Sequence, residues 1–333
     1  MGLELPWPAR RGAWIGVLGR ARRCRFCHRP AEVVVRQANL PLCREHFISW
    51  FERRVERTIR RYRMLGPGER VLVAVSGGKD SLALLHALKS LSGPMGFEVS
   101  AVTLDLGIEG NSYSKLSVET ASRAAKALGV EHIVVSIGDR YGFTLDEAVR
   151  VVRRPPCSLC GLIKRYALTD VARELGFDAL ATGHTLDDVA RFLLSSYIFT
   201  SIRELVRQTP VVPPKLPGLP RLIKPFYESL EEHIRAYADF LGLNYMQDGC
   251  PYARTAPTDY FRAFLDEVEA RSPGAKHTMV RGYIKHIRPA LLASLGNKIE
   301  PIRPCSKCGL PSSGEVCAFC RLRERVLRAL GKA

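Results

Sequence analysis

An α/β fold on a parallel sheet, with a small metal-binding module at either end, is the architecture this 333-residue sequence predicts. Three observations lead there. The apolar run 71–75 passes through Ser76-Gly77-Gly78-Lys79-Asp80-Ser81 into Leu82-Ala83-Leu84-Leu85, the pattern of a strand feeding a helix through a tight turn. Apolar strand-like runs and helical patterns then alternate along the middle of the chain. Seven of the ten cysteines, with one histidine, fall into two sets of four at the spacing of tetrahedral metal ligands.

Taken in order, residues 1–23 read as a basic leader carrying Pro6, Pro8 and two tryptophans. The segment 24–66 follows. Cys24-x2-Cys27 and Cys43-x2-His46 make a closed set of four ligands suited to structural zinc, with His28 a competing ligand next to Cys27. From 48 to 65, Ile48, Phe51, Val55, Ile59 and Tyr62 keep helical spacing while Arg53, Arg57, Arg60 and Arg61 gather on the other side, a face suited to RNA phosphates or to water. Gly66-Pro67-Gly68 ends that helix and opens a central domain, 67–300.

Within the domain, 99–104, 133–137 and 179–182 read as buried strands, and 82–92, 115–128, 161–175 and 185–200 as helices. Such alternation predicts a parallel sheet that binds ligands at the carboxyl ends of its strands. Asp105-Leu106-Gly107-Ile108 and Gly183-His184 should share that rim with the glycine turn. The proline-rich stretch 209–220 reads as an exposed loop, 222–226 as a strand, 230–241 as a helix and 258–295 as a helical region. The last module, 301–333, pairs Cys305-x2-Cys308 with Cys317-x2-Cys320, for zinc in preference to a rubredoxin-like iron, before a short helix with Arg321, Arg323 and Arg325.

Composition narrows the function classes. A content of 46% hydrophobic and 25% charged residues is that of a soluble globular protein, and no apolar run approaches the roughly 18 residues that span a bilayer. Ala13 to Leu18 is too short and poorly flanked for a secretory signal, so a cytoplasmic setting is expected. Fifty basic against 33 acidic residues leave +17, which favours a polyanionic partner, nucleic acid before a membrane surface. Ten cysteines without an export signal point to metals or redox chemistry, not to disulfides.

The glycine turn has a definite chemistry. Its glycines let backbone amides approach a phosphate, and the helix start adds partial positive charge. Lys79 supplies a full charge, Ser76 and Ser81 can donate to phosphate oxygens, and Asp80 suits Mg²⁺. A Walker A loop would need glycine where Val73 stands, so γ-phosphate transfer is not expected. The alternative is a plain turn with a solvated Lys-Asp pair. SGGKDS resembles the PP-loop of ATP pyrophosphatases, which transfer AMP to a substrate oxygen and release pyrophosphate. Nucleotide contacts are accordingly expected at Ala74, Ser76, Gly77, Gly78, Lys79, Asp80, Ser81, Asp105, Gly183 and His184.

Three cysteines remain: Cys157 and Cys160 in Cys-Ser-Leu-Cys, and Cys250 far downstream. Spacing leaves three readings open. Brought together, they can hold a [4Fe-4S] cluster with one iron lacking a protein ligand. Otherwise Cys157 and Cys160 form a disulfide or carry a persulfide, or all three are unrelated thiols. Lys164 stands one helical turn after Cys160 and can face the same cavity. Of Asp187 and Asp188, one can cap a helix while the other faces ATP or Mg²⁺.

SGGKDS, LDLGI, CSLCGLIKRY, TGHTLDD and the two end modules together resemble the TtuA-type tRNA 2-thiouridine synthetases, from about Cys24 to Cys320. The resemblance implies a Rossmann-like PP-loop domain flanked by zinc fingers, a homodimer, and a tRNA T-loop uridine as substrate. It implies that Cys157, Cys160 and Cys250 hold an oxygen-sensitive [4Fe-4S] cluster, that Lys164 and Asp188 are catalytic, and that sulfur arrives from a ubiquitin-like thiocarboxylated carrier; Asp80 joins the catalytic set as the expected Mg²⁺ holder, and inorganic sulfide is the alternative donor. ATP, Mg²⁺ and two Zn²⁺ complete the cofactors. The sequence departs from the usual GHNLDDE pattern at Thr185 and Val189. The chemical logic is that a uracil C2 oxygen leaves only once adenylated, after which sulfur replaces it. Thiolation of a wobble uridine or cytidine through a persulfide, and a zinc-stabilised RNA-binding protein that senses ATP, are the alternatives.

Overall fold

The structure, a computed structural model, describes residues 22–253, 259–295 and 302–332. The expected leader lies outside them except for its last two residues. The chain divides into two compact units at Phe51–Glu52. In the first, β1 (Val33–Val35) and β2 (Leu40–Leu42) pair antiparallel, with Val35, Leu42 and Phe47 buried. Helix α1 (Arg44–Arg61) begins directly after β2 and runs through the boundary. It stops short of residue 65 because Arg63 turns into the left-handed region, at φ 50°. Val55, Thr58 and Ile59 are buried along it while Arg53, Arg57, Arg60 and Arg61 are exposed, as the amphipathic pattern requires.

The second unit runs β3 (Arg70–Ala74), α2 (Lys79–Met95), β4 (Glu98–Asp105), α3 (Tyr113–Ala127), β5 (Glu131–Ser136), α4 (Ile137–Tyr141), α5 (Leu145–Val151), α6 (Pro156–Glu174), β6 (Ala179–Ala181), α7 (Leu186–Ile198), α8 (Ile202–Arg207), β7 (Val211–Val212), β8 (Arg221–Ile223) and α9 (Glu231–Phe240). Then come α10 (Asp259–Arg271), α11 (Ala275–Gly282), a π-helical turn (Tyr283–Ile287), α12 (Arg288–Leu295), β9 (Arg303–Pro304), β10 (Pro311–Ser312) and α13 (Ala318–Ala329).

The six-stranded sheet has the order β5-β4-β3-β6-β8-β7, parallel except for the edge pair β7/β8. Val71, Leu72 and Val73 are fully buried, as a central strand covered on both faces must be. The chain winds outward from β3 to β5, then returns to place β6 on the other side of β3. Strand order therefore reverses between β3 and β6, the point where open α/β sheets bind ligands.

Four expectations change. Helix α6 starts at Pro156, not 161, because proline suits the first helical position, and so it takes in both Cys157 and Cys160. Strand β8 ends at Ile223, not 226, since Pro225 has no amide to continue a ladder. The stretch 209–220 is not wholly a loop, because Val211 and Val212 pair with Ile223 and Leu222. Ile137 leaves the strand to open α4, where the Ser136 hydroxyl accepts from the Asp139 amide.

Candidate active site and metal sites

Between β3 and α2 the chain turns through Gly77, at φ 73°. A side chain there would also collide, its Cβ lying 2.9 Å from Met246 Sδ and 3.2 Å from Ser117 Cα. Gly78 caps α2 without a side-chain hydrogen bond, so no side chain closes that helix start. The turn is braced from within. The Ser76 amide donates to Ser81 Oγ (3.1 Å), Ser81 Oγ donates to the Gly78 carbonyl (2.9 Å), and Ser117 Oγ donates to the Ser76 carbonyl (3.0 Å). Lys79 is buried to 10% side-chain exposure and contacts Asp80 at 2.5 Å and Glu231 at 3.2 Å, so it is not a solvated lysine. Burial pulls its pKa down, against the pull of Asp80.

The neighbouring strand ends close in on this turn. A Cβ on Gly183, after β6, would stand 3.3 Å from the Asp80 carbonyl carbon and oxygen, so the two loops touch. After β4, Asp105 accepts from the Gly107 amide at 2.9 Å. His184 keeps an exposed edge, and its Nδ1 lies 2.8 Å from Thr182 Oγ1. Desolvation by the packed atoms around it, then the charge of Lys224, hold its pKa below the usual value.

Thr185 and Asp188 form a capping box on α7. Thr185 Oγ1 accepts from the Asp188 amide (3.1 Å) and Asp188 Oδ2 accepts from the Thr185 amide (3.1 Å), while Arg191 Nη2 reaches Asp188 Oδ1 at 3.4 Å. Threonine thus fills the N-cap role that asparagine would, and Val189 is buried. Asp187 does not face the nucleotide turn. It accepts from the Glu231 amide (2.6 Å) and from Lys276 Nζ (2.6 Å), locking α7 to α9 and α11.

Helix α6 carries Cys157, Cys160 and Lys164 at positions that share one face. Burial raises the Cys160 pKa, Lys164 opposes that, and the charges of Cys250 and Cys157 add to it, so all four groups lie in one neighbourhood. Tyr113 sits beside Cys250 and Cys160 as well. Cys157 Sγ donates to the Tyr252 carbonyl at 3.7 Å. All three thiols are free. The Met246 amide donates to the Gly77 carbonyl at 3.0 Å, which ties the chain four residues before Cys250 to the glycine turn. On the next turn along, a Cβ on Gly110 would stand 3.2 Å from Pro251. Arg165, next to Lys164, bears on His184, which sets α6 over the same rim.

Two four-ligand sets gather their donor atoms within 4.8 Å: Cys24, Cys27, Cys43 and His46, and Cys305, Cys308, Cys317 and Cys320. His28 is exposed at φ 60° and stands outside the first. Burial would raise the Cys24 thiol, but amides of Cys43, Phe26 and Cys27 hold it at about 6. Cys305 is brought to about 6 in the same way by amides of Cys317, Lys307 and Cys308. Both sets fit zinc, which takes thiolates and imidazole tetrahedrally. Cys157, Cys160 and Cys250 are not among these tight sets.

The sheet, its reversal point and the glycine turn define a PP-loop protein, and the PP-loop domain family matches residues 49–267. Residues 23–48 match the N-terminal LIM domain of 2-thiouridine synthetase TtuA. The tRNA-5-methyluridine(54) 2-sulfurtransferase of Thermus thermophilus is 43% identical over 93% of both chains, and that of Pyrococcus horikoshii 42% over 90% of this chain and 93% of its own. The solved U34-tRNA thiolase NcsA from Methanococcus maripaludis, with its [4Fe-4S] cluster, superposes with a TM-score of 0.77 at 30% identity, over 91% of this chain and 95% of that one. This chain belongs to the PP-loop tRNA sulfurtransferases, in the TtuA branch. No helix among the described residues is long and apolar enough to cross a membrane.

Sequence reasoning missed Lys224, which is buried at the end of β8. A lysine closing a short apolar run looks solvated in sequence; only the following Pro225, which stops the strand, marks the place.

Proposed function

We propose that the protein is an ATP-dependent sulfurtransferase that converts a T-loop tRNA uridine, position 54, to 2-thiouridine. The observation that carries this is the tether from the glycine turn through Met246 to Cys250, beside Cys160 and Lys164. It supports a reading in which sulfur chemistry and adenylation are neighbours.

In this reading the uracil C2 oxygen attacks the α-phosphorus of ATP, the P–O bond to pyrophosphate breaks, and N3 gives up its proton. Amides of the turn, braced from inside by Ser81, and Ser76 hold the departing phosphates, and Lys79 together with Mg²⁺ at Asp80 would offset their charge. Sulfide then bonds to C2, and the C–O bond breaks to release AMP. Lys164 stabilises negative charge near the activated uridine, and Asp188, whose Oδ1 stands outside the cap and meets Arg191, would orient the metal or accept a proton. Cys157, Cys160 and Cys250, all free thiols, would hold a [4Fe-4S] cluster, and it would supply a seat for sulfide. Ala74, Asp105, Gly183 and His184 line the nucleotide.

Zinc at each four-ligand set would hold the fold of its own end module, 24–66 and 301–333. A homodimer in the cytoplasm, supplied by a thiocarboxylated ubiquitin-like carrier or by sulfide, completes the proposal. The exposed Arg53, Arg57 and Arg60 suit tRNA phosphates. Thiolation of position 34 is the second reading, favoured by the likeness to the M. maripaludis thiolase. Anaerobic reconstitution with iron, sulfide, ATP and tRNA, followed by nucleoside mass spectrometry, tests it. The expected product is 2-thiolated uridine at position 54, lost with cluster iron in Cys250→Ala. Thiolation independent of iron, or none at all, refutes the mechanism.

A further inference from the structure

Three lysines bury their side chains among the described residues, and two of them are fully partnered. Lys79 lies against Asp80 (2.5 Å) and Glu231 (3.2 Å), and Lys276 against Asp187 (2.6 Å) and Asp266 (2.5 Å). Lys224 is only 7% exposed, yet among the described residues its ammonium makes no ion pair and no hydrogen bond. The one carboxylate that bears on it is Asp188, whose oxygens already serve the α7 cap and Arg191. The ammonium is not sealed from solvent, so it sits in a mostly desolvated position, without a salt-bridge partner, that an incoming anion can reach.

Its place in the sheet says which anion. Ala181 pairs with Ile223 and the Thr182 amide donates to the Ile223 carbonyl at 3.1 Å, so Lys224 stands level with Thr182, one residue before Gly183 and His184 on the carboxyl-end rim. His184 feels its charge, and Gly183 in turn touches the start of α2 at Asp80. Lys224 is two strands, about 10 Å, from the glycine turn. With the turn gripping the pyrophosphate portion of ATP, the α-phosphoryl group and the oxygen it is transferred to extend along the rim past β6 toward β8. Resting on the sulfurtransferase reading, we infer that Lys224 is a further catalytic residue, whose ammonium contacts the α-phosphoryl oxygens of ATP as negative charge builds during adenylation of the tRNA. Burial leaves its pKa at about 8, so it is charged at neutral pH before nucleotide binds. The ligand is a phosphoryl oxyanion, and the reacting state gains more than the bound ground state does.

The experiment compares wild type, Lys224→Met and Lys224→Arg in the cluster-loaded enzyme with tRNA, reading single-turnover pyrophosphate release, ATP affinity by calorimetry and melting temperature. Removing one such oxyanion contact costs roughly 100-fold in rate. The expected result for Lys224→Met is that loss, with ATP affinity within about threefold of wild type, melting unchanged or raised because an unpartnered charge has gone, and partial recovery in Lys224→Arg. Pyrophosphate release equal to wild type overturns the inference. So does an affinity loss that accounts for the whole rate loss, or a fall in melting temperature shared by all activities. If Lys224→Met does not fold, Lys224→Gln and Lys224→Arg are read by the same criteria. Failure of the wild-type enzyme to release pyrophosphate sinks the sulfurtransferase reading instead.

Discussion

Gly77→Ala puts a methyl group where the nucleotide turn has no room. An L-residue at φ 73° pays about 1–2 kcal/mol for the left-handed conformation. The added Cβ stands 2.9 Å from Met246 Sδ, a flexible end that can withdraw, and 3.2 Å from the Ser117 Cα and carbonyl oxygen, which are backbone and cannot easily move. Overpacking of this kind adds about 1–2 kcal/mol, at the lower end of its usual range. The loop can relieve both by shifting, so the roughly 2–4 kcal/mol should appear mainly as lost ATP affinity, about 30- to 1,000-fold. Calorimetric titration with a non-hydrolysable ATP analogue measures it, with melting temperature as a control. Gly77→Ala/Met246→Ala should recover little, because Ser117 and the backbone conformation remain. Affinity within twofold of wild type in Gly77→Ala would show that the turn does not hold phosphate with the backbone described.

Glu228 offers a pH test. Its burial would raise the carboxyl pKa, but hydrogen bonds from Arg281 (2.5 Å), Tyr62 (2.8 Å) and Arg61 (2.7 Å) bring it from 4.5 to about 2. Since the folded value lies below the unfolded one, the stabilisation is full above about pH 4.5 and drains away as pH falls towards 2. Both arginines are nearly half exposed, so solvent screening trims it to about 1–3 kcal/mol; Glu228→Gln should lose that at pH 7 and less than half of it at pH 3, and a gap that ignores pH would contradict the account. Thr185→Ala should cost about 1 kcal/mol in chemical denaturation and lower activity by loosening Asp188, whereas Thr185→Asn should keep both. Elemental analysis should find two zinc ions per chain and one in Cys308→Ser, and chelation of the terminal site should speed proteolysis of 302–332.

The strand-turn-helix at 70–85 was legible because strand, glycines and helix lie in one continuous segment. The four-ligand sets were legible for the same reason: each is closed within about two dozen residues. What depended on distant partners was not. Asp187 is a neighbour of Asp188 in sequence, but Lys276 and the Glu231 amide decide that it is a lock between helices. The meeting of Cys250 with Cys160 rests on the Met246 tether, which no spacing reveals. Val211 and Val212 sit in a proline-rich run too short to show alternation, and pair only because β8 offers an edge. Helices α5 and α8 span seven and six residues, under two turns of periodicity, and escaped notice.

Helix α6 is one unbroken rod of 19 residues, about 28 Å long. Its leading end bears Cys157, Cys160 and Lys164; its far half presents Tyr166, stacked on Phe319 of α13 at 3.6 Å, and Arg173, donating to the Cys308 carbonyl at 3.1 Å. The terminal knuckle therefore acts as a clamp on the handle of the tool that carries the thiols. A chain shortened before Cys305 would wet the aromatic faces of Tyr141, Phe143 and Tyr166 and free that handle to swing, so the stretch from Cys305 onward is a fixture of the working centre and cannot be trimmed as a tail.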